Sequence, residues 1–534
     1  MAVVSSSSQA SPIYTMPDFS PDHSPVVRTS SIDLDGSSSR RSLVGRGNTL
    51  NLEAGTFALD APPPRPQSPQ KNTQISVFSL LKTKILAFYQ ALPSFRALLK
   101  PAEELGPTPG VKQSLRAVLL SSFLNVFLIC IPACWLLHWL APQQYAAIFF
   151  TGFIAILPLA KLLAFATDEL SLRVGQALAG LINATLGNSV ELIVAIVALT
   201  KCELEIVQSS LIGSVLSNLL LVLGMCFFLG GIKFSEQGFA AGAAQLSSSL
   251  LTLSVVAVLL PAAYRMSLKE NSINHSAESS QTQILKFSHG IALILLFMYG
   301  CYLLFQLCSH AAMYQDDSAD IVKSTTYNHE QKSPITPSTK APNHESVMNQ
   351  DIIASETSEP EEADNSEHPQ LNGWVCTGLL LVVTALVALT AEFLVGSING
   401  LTASGALTKE FVGIILLPIV GNAAEHVTAV TVARKDKLTL SMGVAVGSSI
   451  QIALFVIPLT VVVGWMIGKP MTLFFDPYEA VCLFLAVLTV NYVVQDGKSN
   501  WLEGMILMCL YAILATLFFF YPGMSSADHF AVCT

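Results

Sequence analysis

The chain has 534 residues, 52% of them hydrophobic and only 12% charged, with a formal net charge of −9 at pH 7. A soluble protein of this length carries roughly twice that charged fraction, so the composition is that of a polytopic membrane protein. The acidic balance argues against nucleic acid as a partner, because binding phosphate needs a basic surface.

The first fifty residues hold thirteen serines and no apolar run long enough for a targeting signal, so the amino terminus is expected in the cytoplasm. Ser11-Pro12, Ser24-Pro25, Ser68-Pro69 and the run Pro62, Pro63, Pro64 mark residues 1–75 as a disordered cytoplasmic tail, either a phosphorylated regulator or a plain spacer. Residues 76–115 carry Lys82, Lys84, Arg96 and Lys100 among apolar residues and read as a basic interfacial segment on an anionic membrane surface. Eleven apolar spans follow, at about 20 residues per crossing. They are predicted at 116–140, 143–166, 174–200, 206–230, 244–264, 288–308, 374–397, 409–433, 438–466, 476–495 and 501–521. The ten cysteines, Cys130, Cys134, Cys226, Cys301 and Cys509 among them, fall mostly inside apolar spans without a CxxC pair. They read as small hydrophobes, not as a disulfide framework or zinc site.

Between spans six and seven, residues 309–373 form a polar segment with Asp351, Glu356, Glu359, Glu361, Glu362, Asp364 and Glu367. This acidic loop is either a solvated linker or a cluster that gathers cations at a pore mouth. Basic residues in short loops set the orientation. Arg173, Lys233, Arg434, Lys435, Lys437 and Lys498 then lie on the cytoplasmic side, and Lys201, Arg265, Lys269, Lys409 and Lys469 on the other. The acidic loop becomes cytoplasmic, residues 522–534 a short lumenal tail, and the sequon Asn274-His275-Ser276 lumenal.

One short pattern occurs twice, as GNSVEL at 187–192 and GNAAEH at 421–426. At the offset of 234 residues Gly187 matches Gly421, Asn188 matches Asn422 and Glu191 matches Glu425. Lys201 falls on Lys435, and Gly213-Ser214 on Gly447-Ser448, without a gap. Residues 143–308 and 374–521 thus read as two five-span units, preceded by one additional helix at 116–140. An odd number of crossings per unit turns the second upside down, the inverted-repeat plan of secondary transporters. The predicted fold is an all-α polytopic membrane protein of eleven transmembrane helices, one plus two inverted five-helix repeats.

An ionisable residue at membrane depth costs at least a few kcal/mol and marks a functional site. Asn188 and Glu191 are three residues apart and share a helix face, as do Asn422 and Glu425. Gly187 and Gly421 leave room beside them for close approach. On the following spans Ser214 and Ser217, and Ser448 and Gln451, repeat the three-residue spacing. Such hard oxygen ligands, without thiolates or clustered imidazoles, suit Ca²⁺ or Mn²⁺ and not Zn²⁺ or Cu⁺. Two carboxylates in low dielectric can be neutralised by one divalent cation or by two protons, and competition between those occupants is a mechanism of exchange.

GNSVEL and GNAAEH, each followed about 22 residues later by GS-x-x-S or GS-x-x-Q, resemble the Ca²⁺/H⁺ exchangers of the calcium/cation antiporter superfamily, particularly vacuolar fungal and plant members. The resemblance covers roughly residues 110–525 and implies that Glu191 and Glu425 bind Ca²⁺ and protons in turn, with Asn188, Asn422, Ser214 and Gln451 as supporting ligands. It also implies eleven helices, an acidic loop between spans six and seven, and a vacuolar membrane; here that loop is sparser and is broken by Pro360 and Ser366. His426 follows the second glutamate where the first copy has Leu192, and the resemblance implies a part in cation handling beside the plainer reading of a packing histidine. Glu169 and Glu392, near the ends of spans two and seven, are candidates for lining the entrances or for anchoring the interface.

The expectation is therefore an antiporter that moves Ca²⁺ into an acidic organelle in exchange for H⁺, with no cofactor and with oligomeric state open. Exchange coupled to Na⁺ or K⁺ is the alternative, and a passive cation channel, which would favour a ring across subunits, a weaker one. No HExxH pattern or nucleophile–base pair suggests an enzyme.

Overall fold

The computed structural model describes residues 106–270, 277–314, 321–327, 369–403 and 405–523. The expected tail 1–75, the basic residues Lys82 to Lys100, the sequon at Asn274 and the acidic residues Asp351 to Glu367 lie outside them.

A short amphipathic helix, α1 (Val111–Leu120), leads into the apolar elements. Eight helices are long and apolar enough to cross a membrane alone. They are α2 (Phe123–Leu140), α3 (Tyr145–Ser171), α6 (Leu204–Gly231), α7 (Ala241–Arg265), α8 (Thr282–Ser309), α9 (Gly373–Thr402), α12 (Leu438–Met466) and α14 (Trp501–Phe520). Two further stretches are broken: α4 (Leu178–Leu186) meets α5 (Ser189–Thr200) at 45°, and α10 (Lys409–Gly421) meets α11 (Ala423–Ala433) at 60°. Counting each bent pair as one crossing gives ten among the described residues. The tenth predicted span, 476–495, is the shorter helix α13 (Pro477–Val493), 17 residues long.

Polar caps set where several helices start. Asn372 accepts from the Trp374 N–H at the head of α9, and Thr408 from the Phe411 N–H at the head of α10. Asp476 accepts from the Tyr478 N–H beside Pro477, whose missing N–H costs nothing at a first helical position. Asn500 and Glu503 form a reciprocal capping box on α14. In hydrocarbon every backbone group needs an internal partner, so these caps belong at span ends.

The core is built around α3, which packs along α9, and around α6 and α12, the most enclosed of the long spans. Gly213 of α6 lies directly against the Ile414 backbone of α10, an approach that leaves no room for a Cβ.

Local backbone irregularities recur at the 234-residue spacing. The helix breaks fall at Asn188 and Asn422, with φ/ψ of −96°/27° and −93°/3°. Wide π turns occupy Ser217–Val222 in α6 and Ile452–Val456 in α12, with ends 456 − 222 = 234 apart. Among the described residues the non-glycine residues with positive φ are Cys202 at 62° and Asp436 at 63°, and 436 − 202 = 234.

Two expectations need correction. The chain is not purely α-helical: β1 (Phe234–Gly238) pairs antiparallel with β2 (Thr325–Thr326) on one side and β3 (Lys498–Ser499) on the other. These segments lie outside the apolar spans, where a loop backbone meets its hydrogen-bond needs by strand pairing. Cys202 is disulfide-bonded, unlike the eight free cysteines, because it sits in the turn between α5 and α6 and not inside a span.

The sheet joins the loops after α6 and before α14 to the 321–327 segment, and Asp436 ties in the loop after α11 by accepting from the Ser324 hydroxyl at 2.7 Å and Gln237 Nε2 at 3.1 Å. The loops at the other end meet separately. Lys409 stands 3.7 Å from Glu203, and Asn399 donates to Glu203 at 2.5 Å. The bundle therefore has two distinct ends, one carrying Lys233, Asp436 and Lys498 and the other Lys201 and Lys409.

Candidate functional site

Each helix break turns a half-helix so that a glutamate falls in its first turn, Glu191 in α5 and Glu425 in α11. The amino-terminal end of a helix carries partial positive charge, which favours a carboxylate there. Glu191 and Asn188 are buried, as are Asn422 and His426, and Glu425 is partly buried.

The two halves cross over each other. A Cβ built on Gly421 would stand 2.6 Å from Glu191 Oε1, and one built on Gly187 would stand 3.6 Å from Glu425 Oε1. Each carboxylate thus lies against the glycine of the opposite motif, which brings both acids to one locus. At Gly421 a side chain would occupy the space the Glu191 carboxylate uses; at Gly187 it would first meet the Asn183 carbonyl, at 2.7 Å.

The amides are used unequally. Asn188 Nδ2 donates to Gln451 Oε1 at 2.6 Å, and the Ser448 hydroxyl donates to Asn188 Oδ1 at 2.8 Å. Asn218 Nδ2 donates in turn to the Ser448 oxygen at 3.1 Å. Asn422 makes no such bonds: its Oδ1 and Nδ2 are buried without a protein partner. The residues that match Ser448 and Gln451 by the repeat, Ser214 and Ser217, are both buried but make no hydrogen bond to Asn422. Both oxygens of Glu191 and Oε2 of Glu425 are likewise buried without a protein partner, as is Nε2 of His426.

Leaving a buried polar group unpaired costs about 1–3 kcal/mol, so several at one place mark a binding locus and not a packed core. The donor set is two carboxylates, one uncommitted amide oxygen and serine hydroxyls, all hard oxygens of the kind a Ca²⁺-sized cation takes.

A small cavity reaches Glu191, bordered by Val194, Ser210, Ser214, Leu417 and Pro418.

The two entrance candidates have different surroundings. Glu169 is buried; its oxygens accept the backbone N–H groups of Gln370 at 2.9 Å and Leu371 at 3.1 Å, and Arg173 stands 3.8 Å away while donating to the Leu371 carbonyl. It fastens the start of α9 to the end of α3. Glu392 is half exposed and pairs with Lys201 at 3.5 Å, and the same ammonium reaches the Glu392 carbonyl at 3.1 Å. Two residues were missed by the sequence reading. Asn218 is an amide in an apolar run, the same signal that singled out Asn188. Asp168 is exposed beside the buried Glu169. Its only sequence signal was its place at the end of a span.

Comparison with known proteins adds independent findings. The family model described as sodium/calcium exchanger protein matches residues 144–308 and 375–520. A vacuolar calcium ion transporter of Cryptococcus neoformans var. grubii serotype A is 48% identical over 481 residues, covering 80% of this chain and 79% of that protein. A Ca(2+)/H(+) antiporter of Synechocystis sp. is 42% identical over 404 residues, covering 76% of this chain and 99% of that one. The solved structure of native YfkE superposes with a TM-score of 0.55 at 30% identity, over 74% of this chain and all of that one.

Proposed function

This chain belongs to the sodium/calcium exchanger protein family, and we propose that it is a secondary antiporter moving Ca²⁺ into a vacuole in exchange for H⁺. The relatives named above as a vacuolar calcium ion transporter and a Ca(2+)/H(+) antiporter support the ion pair and the organelle. The observation that carries the reading is the crossed contact of Glu191 with Gly421 and of Glu425 with Gly187.

The mechanism follows from counting charge. Two ionised carboxylates side by side in low dielectric repel each other and have lost their hydration, so the locus favours one Ca²⁺ or two protons over an empty, doubly charged state. Ca²⁺ would be held by Glu191, Glu425, the Asn422 amide oxygen and the hydroxyls of Ser214 and Ser217, with Asn188, Ser448 and Gln451 as the supporting frame. Gly187 and Gly421 make the space. His426 and Asp168 serve proton and cation traffic at the edges. Either occupant leaves the locus near neutral, which lets the protein switch the side to which it opens.

Alternating access rests on symmetry. With α13 as a crossing, the chain has eleven: α2, then 143–308 and 374–521 as two inverted five-helix units. The matched helix breaks, π turns and left-handed residues support that layout. The basic loops support a cytoplasmic amino terminus and a lumenal carboxyl terminus, so the end carrying Lys201 and Lys409 faces the lumen. Glycosylation at Asn274 tests that orientation.

Sealed vesicles loaded with acid and given labelled Ca²⁺, with and without a protonophore, test the function. Uptake should collapse with the protonophore. Uptake that ignores the pH gradient and follows a Na⁺ or K⁺ gradient would establish the alternative coupling instead.

A further inference from the structure

A second group of acids lies away from the Glu191–Glu425 locus. The head of α6 brings Glu205, the head of α10 brings Glu410, and the first turn of α13 brings Glu479 to the end of the bundle that carries Lys409. Glu410 is 3% exposed and Glu479 is 1% exposed. Ser209, one turn after Glu205 in α6, donates to Glu479 of α13 and packs against Gly413, three residues after Glu410 in α10, so the three helix heads converge there. A carboxyl group taken out of water without a cation beside it favours its protonated form.

Glu479 is the independent observation. The Ser209 hydroxyl donates to its Oε1 at 2.6 Å, but its Oε2 is buried with no protein partner. The surrounding charges are committed elsewhere. Asp476 accepts the Tyr521 hydroxyl and the Tyr478 N–H, each at 2.8 Å. Lys409 stands 3.7 Å from Glu203 and 4.0 Å from Glu205, so it balances the outermost acid and leaves the two buried ones, Glu410 and Glu479, without an ion pair among the described residues. A cation bound by three acids is not the answer, since no group of three His, Cys, Asp or Glu among the described residues is spaced to hold a metal. The neutralising species that fits is the proton. Ser209 is followed by Ser210, which lines the cavity beside Glu191, so one stretch of α6 touches both loci.

We propose that Glu205, Glu410 and Glu479 form a second proton-binding site, which loads protons from the Lys409 end of the bundle toward the Glu191 cavity. The proposal rests on the proton-coupled reading above and adds the group through which protons enter on that side.

The test varies the pH inside sealed vesicles and follows labelled Ca²⁺ uptake by the full chain. Glu479→Gln should shift the internal pH of half-maximal uptake by at least one unit and flatten the profile, while half-saturating external Ca²⁺ stays as in the unaltered protein and Glu479→Asp keeps the original profile. An unshifted profile in Glu479→Gln overturns the proposal. Infrared spectroscopy of the purified protein reads the site without transport: a protonated-carboxyl C=O band should vanish in Glu479→Gln or Glu410→Gln and move in Ser209→Ala, which loses only the hydrogen bond. If Glu479→Gln does not fold, an unmoved band in Ser209→Ala overturns the proposal. Should the unaltered protein show uptake independent of internal pH, the coupling reading fails, and the infrared band still decides whether the acids hold a proton.

Discussion

Replacing Gly421 with alanine separates ion binding from folding. The new Cβ would lie 2.6 Å from Glu191 Oε1 and 3.2 Å from its Cδ, where ordinary contact begins at 3.4 Å. The carboxylate must therefore retreat by roughly 0.8 Å, while metal sites hold their ligand distances to about 0.2 Å. A misplacement of about 1 Å costs on the order of a hundredfold in other tuned sites. Half-saturating Ca²⁺ for uptake should then rise about ten- to a hundredfold, equivalent to about 1.4–2.8 kcal/mol. Stability should not fall. Gly421 has no left-handed φ, and alanine in a helix gains up to about 1 kcal/mol over glycine. The assay pairs Ca²⁺ titration of vesicle uptake with thermal unfolding in detergent. Unchanged Ca²⁺ dependence would refute the crossed geometry, and a matched loss of thermal midpoint would show that Gly421 serves packing instead.

Other perturbations follow the same logic. Glu191→Gln and Glu425→Gln should each abolish Ca²⁺ transport with unfolding unchanged; near-normal rates in either would remove the paired-acid site. Asn188→Ala deprives Gln451 and Ser448 of their buried partner and should cost about 1–3 kcal/mol in unfolding. Asn422→Ala breaks no protein hydrogen bond and should spare stability while weakening Ca²⁺ binding. Glu169→Gln should lower the unfolding midpoint by weakening charge-assisted bonds to Gln370 and Leu371, leaving Ca²⁺ half-saturation in place; the reverse pattern would make Glu169 a gate. Because up to two protons compete with one Ca²⁺, acidifying the Ca²⁺ side should raise half-saturating Ca²⁺ with a logarithmic slope that exceeds one and approaches two per pH unit. A slope below one would mean that one acid alone exchanges protons.

Much of the site was legible because membrane depth makes polarity conspicuous. Asn188, Glu191, Asn422 and Glu425 stand out against apolar neighbours, and the repeat at 234 residues pairs them without any structure. The inequality of the two amides was not legible. By motif Asn188 and Asn422 are equals, but Gln451 is long enough to reach Asn188 while Ser217 leaves Asn422 unbonded. Glu169 and Asp168 are adjacent in the chain, and only the fold turns one inward as an anchor and leaves the other in reach of water. Glu205, Glu410 and Glu479 drew no notice in the sequence, because their residue numbers give no hint that three helix heads converge.

What the amino-acid order determined by itself was the membrane class, the doubled motif and the kind of ion it suits. These rest on local properties: hydropathy over about twenty residues, spacing along one helix turn and the hardness of oxygen donors. Tertiary structure alone decided which atoms are spoken for. A carboxylate that grips a backbone, one that lies against a glycine of the other half and one with an oxygen buried without a partner have the same formula, and only the neighbours brought in from distant helices tell them apart.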